Sequence, residues 1–246
     1  MRVGLFIPCY VDQFKPEVAI ATLELLEKLG CDVVYPQNQT CCGQPLANAG
    51  HESESVPVMR HFVSLFEECD YIVSPSGSCV LHVRERYGAL RQTDSVTKVR
   101  SRTMELCEFL TDVLLIKRLD VSFPHRVGLL AGCHGLRGLR LAPSSELDGK
   151  GVDKVRDVLD LVQGIEIVET SRSDECCGFG GMFAVKEEAV SGAMGRDRLR
   201  DFLAHGAEYI TSTDMSCLMH LEGIVGRRDM PLRIVHLAEI LNGSVT

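Results

Sequence analysis

Two stretches of the chain carry adjacent cysteines followed by a glycine, Cys41-Cys42-Gly43 and Cys176-Cys177-Gly178. A single cysteine precedes each pair, Cys9 or Cys133, and another follows it, Cys79 or Cys217. Eight of the eleven cysteines therefore form two quartets at matching places. Four thiolates brought together are soft donors suited to zinc or to an iron–sulfur cluster. The vicinal pair favours the cluster. Adjacent side chains do not readily take two vertices around one tetrahedral zinc, whose cysteine ligands are usually separated by two to four residues. They can instead reach two different iron atoms of a polynuclear centre, and a glycine next in line lets the backbone turn close to the sulfurs. Free cysteine is among the most buried residue types, and Cys31, Cys69 and Cys107 fit that plainer description. Each lies in an apolar strand or helix pattern and has no counterpart in the other half.

The elements that must position these thiols are legible as a repeat. Val3–Ile7 and Val127–Ala131 are apolar runs that lead into Cys9 and Cys133, and Tyr71-Ile72-Val73 and Tyr209-Ile210 lead into the loops to Cys79 and Cys217. Pro16 opens a helix with Ala19, Ile20, Leu23, Leu26 and Leu29 on one stripe, and Gly30 closes it. A strand follows at about 31–35, a helix at about 57–67 and a strand at 71–74. The second half repeats the scheme, with strands near 127–131, 165–169 and 208–212 and helices near 152–162 and 187–204. The segments Met104–Leu110 and Val235–Leu241 then match each other. Strands alternating with helices predict an α/β fold of two pseudo-equivalent halves, 1–122 and 123–246, each with a parallel sheet flanked by helices. In such a sheet ligands gather at the carboxyl ends of the strands, where every quartet cysteine falls. The second half has 43 residues between its leading cysteine and its pair against 32 in the first, and the turn-rich segment 142–151 accounts for most of the excess as a loop.

Composition sets outer limits. A net charge of −8 over 246 residues excludes the basic stripe of a nucleic-acid binder, and 45% apolar residues suit a sizeable core. The apolar run at the N-terminus is too short for a signal peptide, and no apolar stretch reaches the ~18 residues of a spanning helix. A cytoplasmic protein is expected, in which cysteines serve as metal ligands, reactive thiols or core rather than disulfides.

The segments Leu26–Cys31, Cys41-Cys42-Gly43-Gln44-Pro45, Ser74–Cys79 and Cys176-Cys177-Gly178-Phe179-Gly180-Gly181 resemble the cysteine-rich CCG-domain family, which includes the B subunit of heterodisulfide reductase. The similarity is closer still to the family of lactate-utilisation iron–sulfur subunits, and it runs over nearly the whole chain. The resemblance implies an iron–sulfur electron-transfer subunit of a complex oxidising L-lactate to pyruvate. Its partners would be a ferredoxin-like iron–sulfur subunit and a third lactate-utilisation protein. Cys9, Cys41, Cys42, Cys79, Cys133, Cys176, Cys177 and Cys217 are then the metal and cofactor ligands, for [4Fe–4S] clusters or for zinc in one site. The sequence departs from the broader family pattern, which ends Cys-x-x-Cys: the first of those positions holds Ser76 in one half and Asp214 in the other. That argues against five-cysteine ligation. A zinc-stabilised assembly protein and a dithiol protein acting on disulfides remain as alternatives.

His82 and His220 each stand three residues beyond a trailing cysteine, one helical turn along on the same face, where they could ligate or donate to a cluster sulfur. Packing or capping is the commoner role for such a histidine. His134 follows Cys133 directly and reads as solvated. Gly178–Gly181 lacks the spacing of a phosphate loop and reads as backbone positioned to bring N–H groups to sulfur. No Ser-His-Asp arrangement or carboxylate pair stands out, so no catalytic residue is assigned.

Overall fold

A computed structural model describes residues 1–147 and 151–245. Its first half runs β1 (Arg2–Leu5), α1 (Cys9–Phe14), α2 (Pro16–Lys28), β2 (Asp32–Val34), α3 (Gln44–Asn48), α4 (Glu52–Phe66) and β3 (Tyr71–Ser74). It closes with α5 (Gly77–Arg86), α6 (Asp94–Arg102), β4 (Thr103–Glu105) and α7 (Leu106–Asp112). The second half runs β5 (Arg126–Leu129), α8 (Lys154–Leu159), β6 (Glu166–Val168), α9 (Met182–Lys186), α10 (Glu188–Ala204) and β7 (Tyr209–Thr211). It ends with α11 (Met215–Arg228), β8 (Arg233–Ile234) and α12 (Leu237–Asn242).

Each half holds a four-stranded parallel sheet, in the orders β2-β1-β3-β4 and β6-β5-β7-β8. The orders are the same, and so are the registers: Val3 pairs with Val33 and Tyr71, and Val127 with Ile167 and Tyr209. The fold is α/β with two similar halves. The halves pack through equivalent pairs of helices, α2 on α12 and α7 on α8. Their apolar faces share one core with the strands, including Leu25, Leu26, Leu110, Val158, Leu159 and Leu241. Lys15 to Glu222 at 2.8 Å and Lys28 to Asn242 at 2.7 Å tie the rim of that contact. A second cluster, built around Phe6, Met59, Phe62, Phe66 and Tyr87, belongs to the first half alone.

Several elements differ in detail from the sequence reading. The buried face of α2 is Val18, Ala21, Thr22, Leu25 and Leu26, whereas Ile20 is 56% exposed. The contact with α12 decides which stripe turns inward. Helix α4 begins five residues before Pro57, which therefore sits inside the helix, in its second turn, rather than at its start. Strands β4 and β8 are short edge strands hidden at the head of segments whose helical pattern dominates. In the 142–151 loop, Ser145 donates from both its N–H and its hydroxyl to the Asp174 carboxylate, and Arg137 pairs with Glu146. Asp148, Gly149 and Lys150 lie outside the described residues. Among the described residues no helix is long and apolar enough to cross a membrane.

Candidate metal centres

Both quartets assemble at strand carboxyl ends. Cys9 opens α1 just past β1, and Cys79 lies in the first turn of α5 just past β3. The vicinal pair comes in on the loop after β2. Gln39 fastens that loop to β1, accepting from the Ile7 N–H at 2.8 Å and donating to the Leu5 carbonyl at 3.2 Å. The sulfurs meet as two close pairs, Cys9 with Cys41 at 3.7 Å and Cys42 with Cys79 at 3.5 Å. The second half repeats the pairing, Cys133 with Cys176 and Cys177 with Cys217. Cys31, Cys69 and Cys107 join neither group. Cys69 and Cys107 are buried, and Cys31 is half-buried against the core.

The glycine after each pair has the left-handed backbone its role requires, with φ of +94° at Gly43 and +91° at Gly178. This turn aims the Gly43 N–H at the Cys41 sulfur and the Gly178 N–H at the Cys176 sulfur, each at 3.4 Å. Phe179 adds its N–H to the Cys177 sulfur at 3.4 Å. Such donors favour the thiolate over the thiol. Accordingly the Cys41 thiol is pushed down, first by donation from Cys42 and then from Cys9, and Cys176 by Cys133 and Cys177. The donors are pushed up in turn: Cys9 and Cys42 by their bonds to Cys41 and by burial, Cys133 and Cys177 by those to Cys176. Each quartet thus gathers four sulfurs at one place, a preformed set of soft donors.

Beside each quartet stands a histidine with an unpartnered ring nitrogen. The Nε2 atoms of His82 and His220 are both shielded from solvent, and neither has a hydrogen-bond partner. Desolvation pushes His82 down to about 4, opposed by the field of Cys41; it also lowers His220, opposed first by a hydrogen bond to the Ser191 backbone and then by Cys176. A buried imidazole nitrogen left without a partner at the same place in both halves is a group waiting for an acceptor or a metal. His134 is exposed, as its sequence position suggests.

Ser76 and Asp214, at the positions where the broader pattern has a cysteine, face each other across the junction of the halves in an isolated antiparallel bridge. Asp214 is 2% exposed and accepts from the Ser76 hydroxyl at 2.8 Å, the Ser78 hydroxyl at 2.7 Å and the Ser78 N–H at 2.9 Å. Ser76 also accepts from the Cys79 N–H at 3.3 Å, capping α5. The carboxylate of one half therefore secures the helix that carries a thiol of the other. Burial raises the Asp214 carboxyl while the Ser78 and Ser76 donors lower it.

Three further side chains were invisible as site residues in the sequence. Tyr87 is fully buried, donates its hydroxyl to the Cys42 carbonyl at 3.0 Å and stands edge-on to the His82 ring. Tyr10 and Phe179, one from each half, meet with ring centroids 6.1 Å apart, and Phe179 lies 6.1 Å from the His220 ring. An isolated aromatic beside a cysteine reads as core, and only the fold brings these together.

A duplicated α/β scaffold with a cysteine quartet at each set of strand ends is a protein of two cysteine-rich domains, and the sequence matches the cysteine-rich CCG domain over residues 3–84 and 127–222. It is 39% identical to Lactate utilization protein A of Exiguobacterium sp. over 99% of this chain and 98% of that one. It is 36% identical to the protein of the same name from Bacillus subtilis over 98% and 99%. The chain belongs to the lactate utilization protein A family. A solved Asp/Glu racemase from Yersinia pestis is similar at a TM-score of 0.41 and 12% identity, too distant to carry an argument.

Proposed function

We propose that the protein is an iron–sulfur subunit of a system that oxidises L-lactate to pyruvate, working with a ferredoxin-like iron–sulfur subunit and a third lactate-utilisation protein. The observation that carries the reading is the pair of matched quartets, each arranged as two close sulfur pairs at the strand ends. The relatives' name supplies lactate. In this reading each half, 1–122 and 123–246, is a unit with its own centre. Cys9, Cys41, Cys42 and Cys79 hold one, and Cys133, Cys176, Cys177 and Cys217 the other. A bound iron–sulfur cluster supplies one-electron redox capacity. The chain's own residues ligate through thiolate and aim the Gly43, Gly178 and Phe179 N–H groups at sulfur.

The vicinal cysteines of each quartet favour a polynuclear centre over zinc, whose cysteine ligands are usually two to four residues apart. Four cysteines per half suffice for [4Fe–4S], and the Ser76–Asp214 contact uses the place where a fifth would stand. Anaerobic purification with assays for iron, acid-labile sulfide and zinc tests the reading. Brown protein with both iron and sulfide supports it. Colourless protein with stoichiometric zinc replaces it with an assembly role, and metal-free protein with reactive vicinal thiols replaces it with thiol–disulfide chemistry.

A further inference from the structure

The second half has a feature that no part of the proposal above uses. A cleft of about 680 Å³ opens between α9, α10 and α11. This lies within the roughly 300–1,000 Å³ of small-molecule sites. His220 is part of its lining, with its Nε2 turned away from solvent towards Gly195. Gly195 separates that nitrogen from the cysteine loop: a Cβ there would lie 3.0 Å from His220 Nε2 and 3.3 Å from the Cys177 carbonyl. Ser191, also in the lining, donates its hydroxyl to the Gly178 carbonyl at 2.8 Å. The cleft thus ends directly behind the vicinal cysteines of the second quartet.

Its charge is unlike that of the molecule. The chain carries −8 overall, yet Arg196, Arg227 and Arg228 line this cleft against a single acid, Glu188. None of the three arginines is in an ion pair among the described residues, whereas Arg172 and Arg200 nearby are. Arg227 and Arg228 suit the C-terminal turn of α11 through the helix dipole, but Arg196 in the middle of α10 has no such reason. Its guanidinium folds back over Gly192, where a Cβ would lie 3.1 Å from Nη1. Gly223, on the facing side, has open space where a side chain would project. Unpaired guanidinium forks around a concave space are receptors for planar anions, and carboxylates match them with two parallel hydrogen bonds.

We propose that this cleft binds a small carboxylate, a 2-hydroxy or 2-oxo acid, and places it beside the second cysteine quartet. Arg196, Arg227 and Arg228 hold the carboxylate, and the His220 ring forms part of the wall. The inference rests on the reading of the chain as part of a lactate-oxidising system, which names the acid. It adds that the acid meets this chain, and at one half only.

Titration calorimetry on the anaerobically purified chain tests it, with L-lactate and pyruvate as ligands and inorganic phosphate as the control anion. Arg196→Ala and the double change Arg227→Ala with Arg228→Ala are expected to weaken acid binding by about tenfold to a hundredfold, the loss of a charged hydrogen bond. Gly223→Leu is expected to abolish binding by filling the space. It improves helix propensity and so should leave folding intact. Iron content and absorbance should stay at the wild-type level in all three. Acids that fail to bind wild-type protein, or bind every variant equally well, overturn the inference. So does phosphate that binds as tightly as lactate. Iron and sulfide assays on the same samples report on the parent reading separately: brown protein that ignores the acids sinks the cleft alone, and colourless protein without sulfide sinks the parent.

Discussion

The two cysteine sites are built alike and closed differently. At the first, His82 is 4% exposed and Tyr87 is fully buried behind it. Cys42 and Cys79 are both buried as well. At the second, Cys217 and His220 are half-exposed, and the cleft lies against the histidine. Eight residues beyond the trailing cysteine, where the first half has Tyr87, the second has the smaller Val225. One aromatic ring is part of the difference, which is confined to the histidine and the trailing cysteine, since Cys9 and Cys41 are half-buried just as Cys133 and Cys176 are. Duplication supplied two equal scaffolds, and packing around each histidine gave them different access to solvent.

The most severe way to break this comparison is to remove a thiolate from each site in turn. Cys42→Ser and Cys177→Ser replace a soft donor with a poor one. Each is expected to lower iron per chain by about half, seen by iron analysis and electron paramagnetic resonance, and to spare the other centre. Equal loss of both centres from either change would mean that the quartets build one shared site.

The loop glycines should differ next. Both hold left-handed backbone, which costs a residue with a side chain roughly 1–2 kcal/mol. A Cβ at Gly178 would also lie 2.6 Å from the Ser191 carbonyl oxygen, whereas at Gly43 its nearest neighbour is Ser55 Cβ at 3.4 Å. Gly178→Ala should therefore lower the thermal midpoint more than Gly43→Ala. Equal shifts would show that the second loop is the looser one.

A subtler contrast concerns equivalent helix caps. Glu105 caps α7 and His236 caps α12, both fully buried. Burial raises Glu105 to about 8, so the folded state keeps a proton that the unfolded chain loses, and stability falls as pH rises from about 4.5 to about 8. Burial lowers His236 to about 4, so the unfolded chain takes up a proton first, and stability falls as pH drops from about 6.5 to about 4. Urea midpoints measured across pH 4 to 8.5 should lose the alkaline slope in Glu105→Gln and the acid slope in His236→Gln. An unchanged profile in either variant would show that its cap does not carry the slope.

The smallest effects are expected outside the quartets. Cys31→Ala, Cys69→Ala and Cys107→Ala remove a small group each, at on the order of 1 kcal/mol, and should keep wild-type iron. Iron loss from Cys69→Ala as complete as from Cys42→Ser would undo the division between ligand and packing cysteines.

The sequence by itself determined the duplication, the parallel α/β class and the two quartets, because cysteine spacing, apolar runs and helix punctuation are local signals. It marked Ser76 and Asp214 as departures from a pattern. It could not show that they bond to each other across the halves, since 138 residues separate them. Ile20 looked like core because periodicity states that a helix has an apolar side, while only its neighbour, α12, decides which side is covered. The covering of His82 by Tyr87 and the cleft with three arginines beside His220 depend on volumes and charges contributed by separate helices. Such differences arise only when those helices pack, and tertiary structure alone decided them.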